Sequence, residues 1–441
     1  MKALRWHESD LASVVSTLES GSRPKGGAST ETGEVASLGG ENIVRSGGVT
    51  LAEVKKVSQA FFERMTKGHL VDGDVLINKD GAQTGKVGIY REDGTGPACI
   101  NEHVFLIRGD REQICQDFLY YTLLSEHGQR QVSAQISGSA QPGLKSSFLK
   151  GVVTDIPDSL SEQAKIAEIL STVDQAIEQT EASIAKQQRI KTGLMQDLLT
   201  RGIDEHGNVR SEQIHPFKDS PLGRIPVEWE VKSLEQLTSR IVDGVHHTPI
   251  YTESGIPFIV ITDLTGSFDI NFSKTRFVSE KDHREYSRRA DPKAGDILVT
   301  KDGTLGVARI VPTTAPEFSI FVSVAMLRPK QNVCLPELIW AFFESGEFLI
   351  QLGALSAGTG LAHIHLEHFR KFLVRRPPID EQKLIFGTIN KQEHLLNSTT
   401  FGLHKLKKQR TALMQDLLTG NRRVTPLLES EPKREKMYAR S

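Results

Sequence analysis

Three cysteines, Cys99, Cys115 and Cys334, are too few and too scattered for a disulfide framework. None stands in a CxxC pair, which argues against a zinc ribbon and suits a reducing cytosol. The chain also lacks charge of one sign. Its 54 Lys and Arg nearly cancel 55 Asp and Glu, leaving a formal net charge of −1. Any nucleic-acid contact must therefore come from local patches. No apolar run approaches the ~20 residues that span a bilayer. The stretch Met1 to Asp10 is polar, so the chain reads as cytoplasmic, with no signal peptide and no membrane partner.

Catalytic motifs are missing as well. Gly81-x-x-x-Gly85-Lys86 is one residue short of a phosphate loop, and Val87 stands where Ser or Thr is needed. Arg376-Pro377-Pro378-Ile379 lacks the polar residue of an amino-methyltransferase motif, and no nucleophile elbow or nuclease set is present. His246-His247 and His363-x-His365-x-x-His368 have no Cys or paired carboxylate at ligand spacing, so no metal is expected. These absences predict a chain without enzyme activity of its own.

What the chain does have is a repeat. Met195-Gln196-Asp197-Leu198-Leu199-Thr200 returns as Met414-Gln415-Asp416-Leu417-Leu418-Thr419, about half a chain later in 441 residues. Gly73–Gly81 parallels Gly295–Gly303, Phe105–Arg108 parallels Ala325–Arg328, and Glu162-Gln163 parallels Glu381-Gln382. Four stations in one order indicate a duplicated unit and an internal pseudo-twofold repeat.

Each repeat has two unlike parts. Residues 1–156 and 223–377, rich in short Val/Ile/Phe runs punctuated by Gly and Pro, predict α+β globules. Residues 157–202 and 378–420 predict long helices, with Ser161 and Asp380 as N-cap candidates. Their apolar stripes run through Ile166, Leu170, Val173, Ile177, Ile184, Leu194 and Leu198, and through Ile385, Ile389, Leu396, Leu403, Leu406, Leu413 and Leu417. The heptad-like spacing lets the two stripes bury each other as an antiparallel, coiled-coil-like pair. Gln187, Gln392, Lys191 and Arg410 interrupt the seam and set register or face a partner. Residues 203–222 read as a linker, and 421–441 as a poorly ordered polar tail.

Together with Gly21-Ser22-Arg23-Pro24, Ser137–Leu144, Pro157–Gln163, Pro378–Gln382 and Gly223-x-Ile225-Pro226-x-x-Trp229, this arrangement resembles the specificity (S) subunit of Type I restriction-modification systems. The resemblance covers the chain to about Gly420. It implies two target recognition domains, each reading one half of a split target on double-stranded DNA. It also implies a helix pair that spaces them and docks two methyltransferase (M) subunits, with restriction/motor (R) subunits joining the larger complex. S-adenosylmethionine, ATP and Mg would belong to those partners, and no cofactor to this chain. The alternative is a protein-binding scaffold whose duplicated domains sit on a helical spacer.

Groove contacts need cations for phosphates and Arg, Lys, Asn, Gln or His for base edges. The candidates in the first half are Arg23, Lys25, Lys79, Gln141 and Lys145. In the second they are His246, His247, Arg276, Lys301, Thr359 and His363. Arg276 belongs to Asn271–Lys293, where seven Lys or Arg face four acids. A solvated surface is the plainer account of that run, and a purely structural turn the plainer account of Lys79 and Lys301. The loop Ser356–Leu361 lacks the Gln-Pro of Gln141-Pro142, so the two globules should read different bases.

Overall fold

The computed structural model describes residues 5–44, 46–138, 142–266, 269–355 and 363–430. The chain divides into two units: Met1–Ala182 with Phe401–Ser441, and Ser183–Thr400. Both long helices pass from one unit into the other, so each unit owns half of each helix.

In the first unit, the apolar run Val75–Asn78 is a fully buried strand. It lies between Val104–Gly109 and Val87–Ile89, and Val15–Ser20 completes a four-stranded sheet on the far side of Val104–Gly109. A second sheet orders Lys55–Val57, Val35–Leu38 and Ala98–Ile100, the last two parallel. Trp6–Asp10 pairs with Val153–Pro157, bringing the chain start to the start of the first long helix.

The second unit repeats every pairing. Thr238–Asp243, Val324–Pro329, Ile297–Thr300 and Ala308–Ile310 form its four-stranded sheet. Arg276–Val278, Ile256–Ile259 and Ser319–Ile320 form the three-stranded one, again with a parallel pair. Glu230–Ser233 pairs with Leu373–Arg376. Even the register irregularity recurs, between Val15 and Thr17 and between Thr238 and Arg240. The duplicated Gly-Asp phrase has a structural use. Asp74 and Asp296 are buried and grip Arg108 and Arg328 of the neighbouring strand through paired bonds of 2.6 and 2.8 Å and of 2.9 and 2.7 Å. Such two-pronged pairs fix strand spacing as well as neutralising a buried carboxylate.

The long helices run Leu160–Thr200 and Ile379–Leu418. Within the first unit Asp174 meets Arg410 and Glu181 meets Lys407. Within the second, Gln187 meets Thr399 and Lys191 meets Glu393. Partner numbers fall on one helix as they rise on the other, so the pairing is antiparallel in each unit. Lys191–Glu393 is the repeat counterpart of Arg410–Asp174, so these seam-breaking cations hold register. Of the predicted seam, Ile166, Leu170, Leu198, Ile385, Ile389 and Leu417 are buried, and the other eight residues are half-buried.

The helix starts differ from expectation. Ser159, not Ser161, caps the first helix, its Oγ accepting from Glu162 N at 3.3 Å. Pro378 stands at the matching place before the second helix, whose Gln382 N bonds the Pro378 carbonyl at 3.0 Å. Asp380 already lies inside that helix. Two Ser residues two positions apart give the same sequence signal, and only the hydrogen bond separates them.

Just inside each start sits a buried Glu-Gln pair. Gln163 accepts from Cys115 N and donates to the carbonyls of Gln113 and Pro157. Gln382 makes the same set with Leu335, Val333 and Pro377. Glu162 holds Arg423 through bonds of 2.7 and 2.8 Å, and Glu381 holds Arg210. Each arginine follows the end of the other long helix. Residues 203–222 are therefore more than a linker: Ile203 is buried, and Phe217–Lys218 pairs with Ile225–Pro226. Likewise the tail region begins with buried Val424 and the helix Thr425–Ser430.

All three cysteines are free, and burial pushes the thiols of Cys99 and Cys334 up to about 11 and about 12. Among the described residues no single helix is long and apolar enough to cross a membrane.

Candidate nucleic-acid interface

The Lys-Asp-Gly turns follow the central strands, and in each unit a later pair of residues, Gly143-Leu144 or His363-Ile364, meets them. Asp80 bridges to Gly143, and Leu144 N bonds the Lys79 carbonyl at 2.7 Å. Asp302 bridges to His363, and Ile364 N bonds the Lys301 carbonyl at 2.8 Å. The sequence candidates Lys79 and Lys145 are thus drawn to one place in the first unit, and Lys301 and His363 to the equivalent place in the second. Gln141 and Thr359 lie outside the described residues.

The remaining candidates are distributed as follows. Arg23 and Lys25 are exposed, and Arg23 lies 3.4 Å from Glu102. Lys145 is exposed. Arg276 stacks 4.6 Å over the Tyr251 ring, and His247 packs edge-on against Tyr286 at 5.5 Å. His363 bonds Asp302 and approaches the Lys301 ammonium at 3.5 Å. In the first unit the turn aspartate Asp80 instead bonds His103, at 2.7 Å.

The two turn lysines differ sharply in their surroundings. Lys79 is half-buried, 3.2 Å from the Ser20 hydroxyl and 5.4 Å over the Phe105 ring. Lys301 is buried, and its ammonium sits 3.0 Å from Asp243. Ser20 and Asp243 are equivalent: each ends the edge strand of its four-stranded sheet and precedes a glycine, Gly21 or Gly244, pressed onto the carbonyl of Ile100 or Ile320. Asp243 also receives Arg289 and His246. Burial works against its charge, but hydrogen bonds from Arg289, His246 and Lys301 prevail and hold its carboxyl below the usual value. Sequence reasoning passed over Ser20 and Asp243, and counted Arg289 only as one cation of the run Asn271–Lys293. The signal was a mismatch between repeats, Ser against Asp, rather than a motif.

A depressed acid contributes stability above its unfolded value and loses it as pH falls through its folded one. Asp243→Asn should therefore lower the melting temperature throughout the range from neutrality down to about pH 4, near the ordinary Asp value. The gap to the unaltered protein should close only below that. A gap that shrinks between pH 7 and 5 would contradict the assignment.

Each unit also carries a groove between its globule and the C-terminal end of a long helix. The grooves hold about 720 Å³ in the first unit and about 790 Å³ in the second. Their helix walls are Arg410, Thr411, Met414, Gln415, Leu418 and Thr419, and Lys191, Thr192, Met195, Gln196, Leu199 and Thr200. Thr192–Thr200 and Thr411–Thr419 differ only at Gly193 against Ala412. Packing accounts for the leucines, but Thr192, Thr411, Gln196 and Gln415 are exposed. The facing walls have diverged: Glu126, His127, Arg130 and Asp155 stand where the second unit has Gly346, Glu347, Ile350 and Arg375. Among the described residues no group of three His, Cys, Asp or Glu could hold a metal ion.

Comparison with known proteins gives one consistent family. The profile of the Type I restriction modification DNA specificity domain matches residues 4–187 and 226–405. The chain is 23% identical over 374 residues to the Type I restriction enzyme MjaVIII specificity subunit of Methanocaldococcus jannaschii, covering 83% of each chain. It is 27% identical over 332 residues to the MjaIX specificity subunit of the same organism, covering 72% of this chain and 71% of that one. The fold matches the crystal structure of the Type-I restriction-modification system S subunit from M. genitalium, with a TM-score of 0.58 and 16% identity over 95% of this chain and 97% of that one. A chain from a structure described as the basis of complex assembly and conformational transition of the type I R-M system gives a TM-score of 0.57 at 16% identity, covering 96% and 100%.

Proposed function

The chain belongs to the family of Type I restriction-modification specificity subunits, and from that premise we propose that each unit reads one half of a bipartite target on double-stranded DNA. Two methyltransferase subunits dock on the long helices, and restriction/motor subunits join the larger assembly. The named relatives are specificity subunits, which places this chain on the non-catalytic side of the division of labour. In this reading S-adenosylmethionine, ATP and Mg are held by the partners, which work with it in the cytoplasm. The methyltransferases flip the target base into their own pockets.

The observation that carries the half-site reading is one fold with different polar groups at equivalent places. Ser20 against Asp243 puts a hydroxyl against a carboxylate on matching scaffolds, and the turn aspartates Asp80 and Asp302 take histidines from different parts of their units, His103 and His363. Two copies of a reader with unlike polar groups suit two unlike half-sites. Exchanging residues 1–150 for the matching part of another family member should change one half of the methylated sequence and leave the other intact. Genome-wide mapping of methylated sites reads this directly, and a change in both halves would refute modular reading.

The grooves support docking of one partner species twice. A nearly identical wall that includes exposed Thr and Gln suits a repeated contact better than it suits packing alone. Changing Thr192 and Gln196 to arginine should remove one methyltransferase copy, and the same change at Thr411 and Gln415 the other. Native mass spectrometry of the co-purified complex would report the loss, and full occupancy in both variants would exclude the grooves as docking sites.

A further inference from the structure

We propose that Arg289 is a DNA-contacting residue of the second unit, with Asp243 as its positioning residue, and that Lys301 is internal support that does not touch DNA. This inference rests on the half-site reading above and names a residue that carries it. The argument begins with exposure. Lys301 is 3% exposed and its charge is met by Asp243 at 3.0 Å. A cation so enclosed can reach a phosphate only by breaking a buried pair, which is strongly unfavourable.

The guanidinium of Arg289 is differently placed. Its side chain is 49% exposed, yet its base is held at several points. Nε donates to the carbonyls of Asp243 and Gly244 at 3.2 and 3.0 Å, and one terminal nitrogen reaches the Asp243 carboxylate. The same nitrogen lies 2.8 Å from His246 Nε2, and that imidazole is 57% exposed. Arginine reads guanine through a planar fork, and a fork whose orientation is already set loses less entropy on binding. Asp243 sets it from below: its own side chain is 3% exposed, so it cannot swing out to water. Within the basic run Asn271–Lys293, the other carboxylates that meet a cation are less enclosed than Asp243. Arg284 meets exposed Glu280, and Lys293 meets Asp291. Arg289 is thus the cation in that run with a buried carboxylate as its anchor.

The repeat supplies an internal control. In the first unit the Asp243 place is Ser20, and Lys79 meets a hydroxyl there in place of a carboxylate. The first unit can therefore offer Lys79 itself, whereas the second has covered its lysine and built an arginine above it. The units then present different cations, Lys79 and Arg289, beside the equivalent strand ends at Ser20 and Asp243, as the reading of unlike half-sites requires.

The test uses the full chain co-purified with its methyltransferase partner and a DNA library with a randomised core, selected and then titrated at several NaCl concentrations. Arg289→Ala should weaken binding to the selected sequence roughly 10- to 100-fold and relax base preference at positions in one half only. Arg289→Lys should keep the salt dependence of the unaltered protein but lose the same base preference as Arg289→Ala. Asp243→Asn should relax the same positions, and the double variant should bind no worse than Arg289→Ala alone. Lys301→Met should lower the melting temperature and leave preference and salt slope unchanged. Folded Arg289→Ala protein that selects the unaltered sequence with an unaltered salt slope would overturn the inference while leaving the half-site reading standing. So would a Lys301→Met variant whose salt slope drops by about one. An unaltered complex that enriches no sequence would remove the half-site reading, and this inference with it.

Discussion

Replacing Glu381 by alanine is expected to destabilise the second unit by about 3–5 kcal/mol, the range for removing one partner of a buried ion pair. The carboxylate is buried and serves three donors from different parts of the unit. Oε1 accepts from Ile203 N at 2.9 Å, Oε2 accepts from Trp229 Nε1 at 3.0 Å, and Arg210 grips both oxygens. Removing it strands a backbone N–H, an indole N–H and a guanidinium together. The cavity cannot simply close. Gly202, at φ +70°, is already so near that a Cβ there would lie 2.2 Å from Glu381 Oε1 and 2.6 Å from Trp229. The counterpart Glu162→Ala should cost less, about 1.5–3 kcal/mol, the range for hydrogen bonds to charged groups. Glu162 holds Arg423, whose guanidinium lies 5.5 Å over Trp6, but Trp6 Nε1 finds no partner among the described residues. Urea unfolding of the full chain followed by tryptophan fluorescence would compare the two. Equal losses, or a Glu381 loss under about 1 kcal/mol, would mean that the extra donors at Glu381 add nothing.

A matched deletion in the long helices should shift the length of the DNA spacer. The antiparallel register requires that residues removed from one helix be removed from the facing stretch of the other. Omitting 184–190 alone would set the Arg410–Asp174 and Lys191–Glu393 pairs against each other and should abolish assembly. Omitting 184–190 together with 395–401 keeps both pairs. Seven residues shorten a helix by about 10 Å, which corresponds to roughly three base pairs of duplex. Methylation mapping should then return the same two half-sites with a spacer reduced by about that number. An unchanged spacer would separate spacer length from the helices altogether.

Much of the fold was legible because duplication writes the same physics twice. Val75–Asn78 and Ile297–Thr300 were readable as buried strands from short apolar runs, and the long helices from their apolar stripes. What escaped were features set by one hydrogen bond or by partners far apart in sequence. The cap at Ser159 is one such feature. The 203–222 stretch is another: its polar composition reads as a loop, but Arg210 docks on a carboxylate 171 positions later.

The candidate interface was legible only in part, for the same reason. Lys79 and Lys301 stand in nearly identical phrases, so local sequence assigns them one role. Their difference depends on Ser20 and Asp243, which the four-stranded sheet brings beneath them from more than fifty positions away. The chain alone determined the repeat, the strand cores and the helix stripes, because periodicity and apolar runs are local properties. Tertiary structure decided which cations remain open to solvent, because a lysine's charge is covered or free according to whichever side chain folding places within about 4 Å of it.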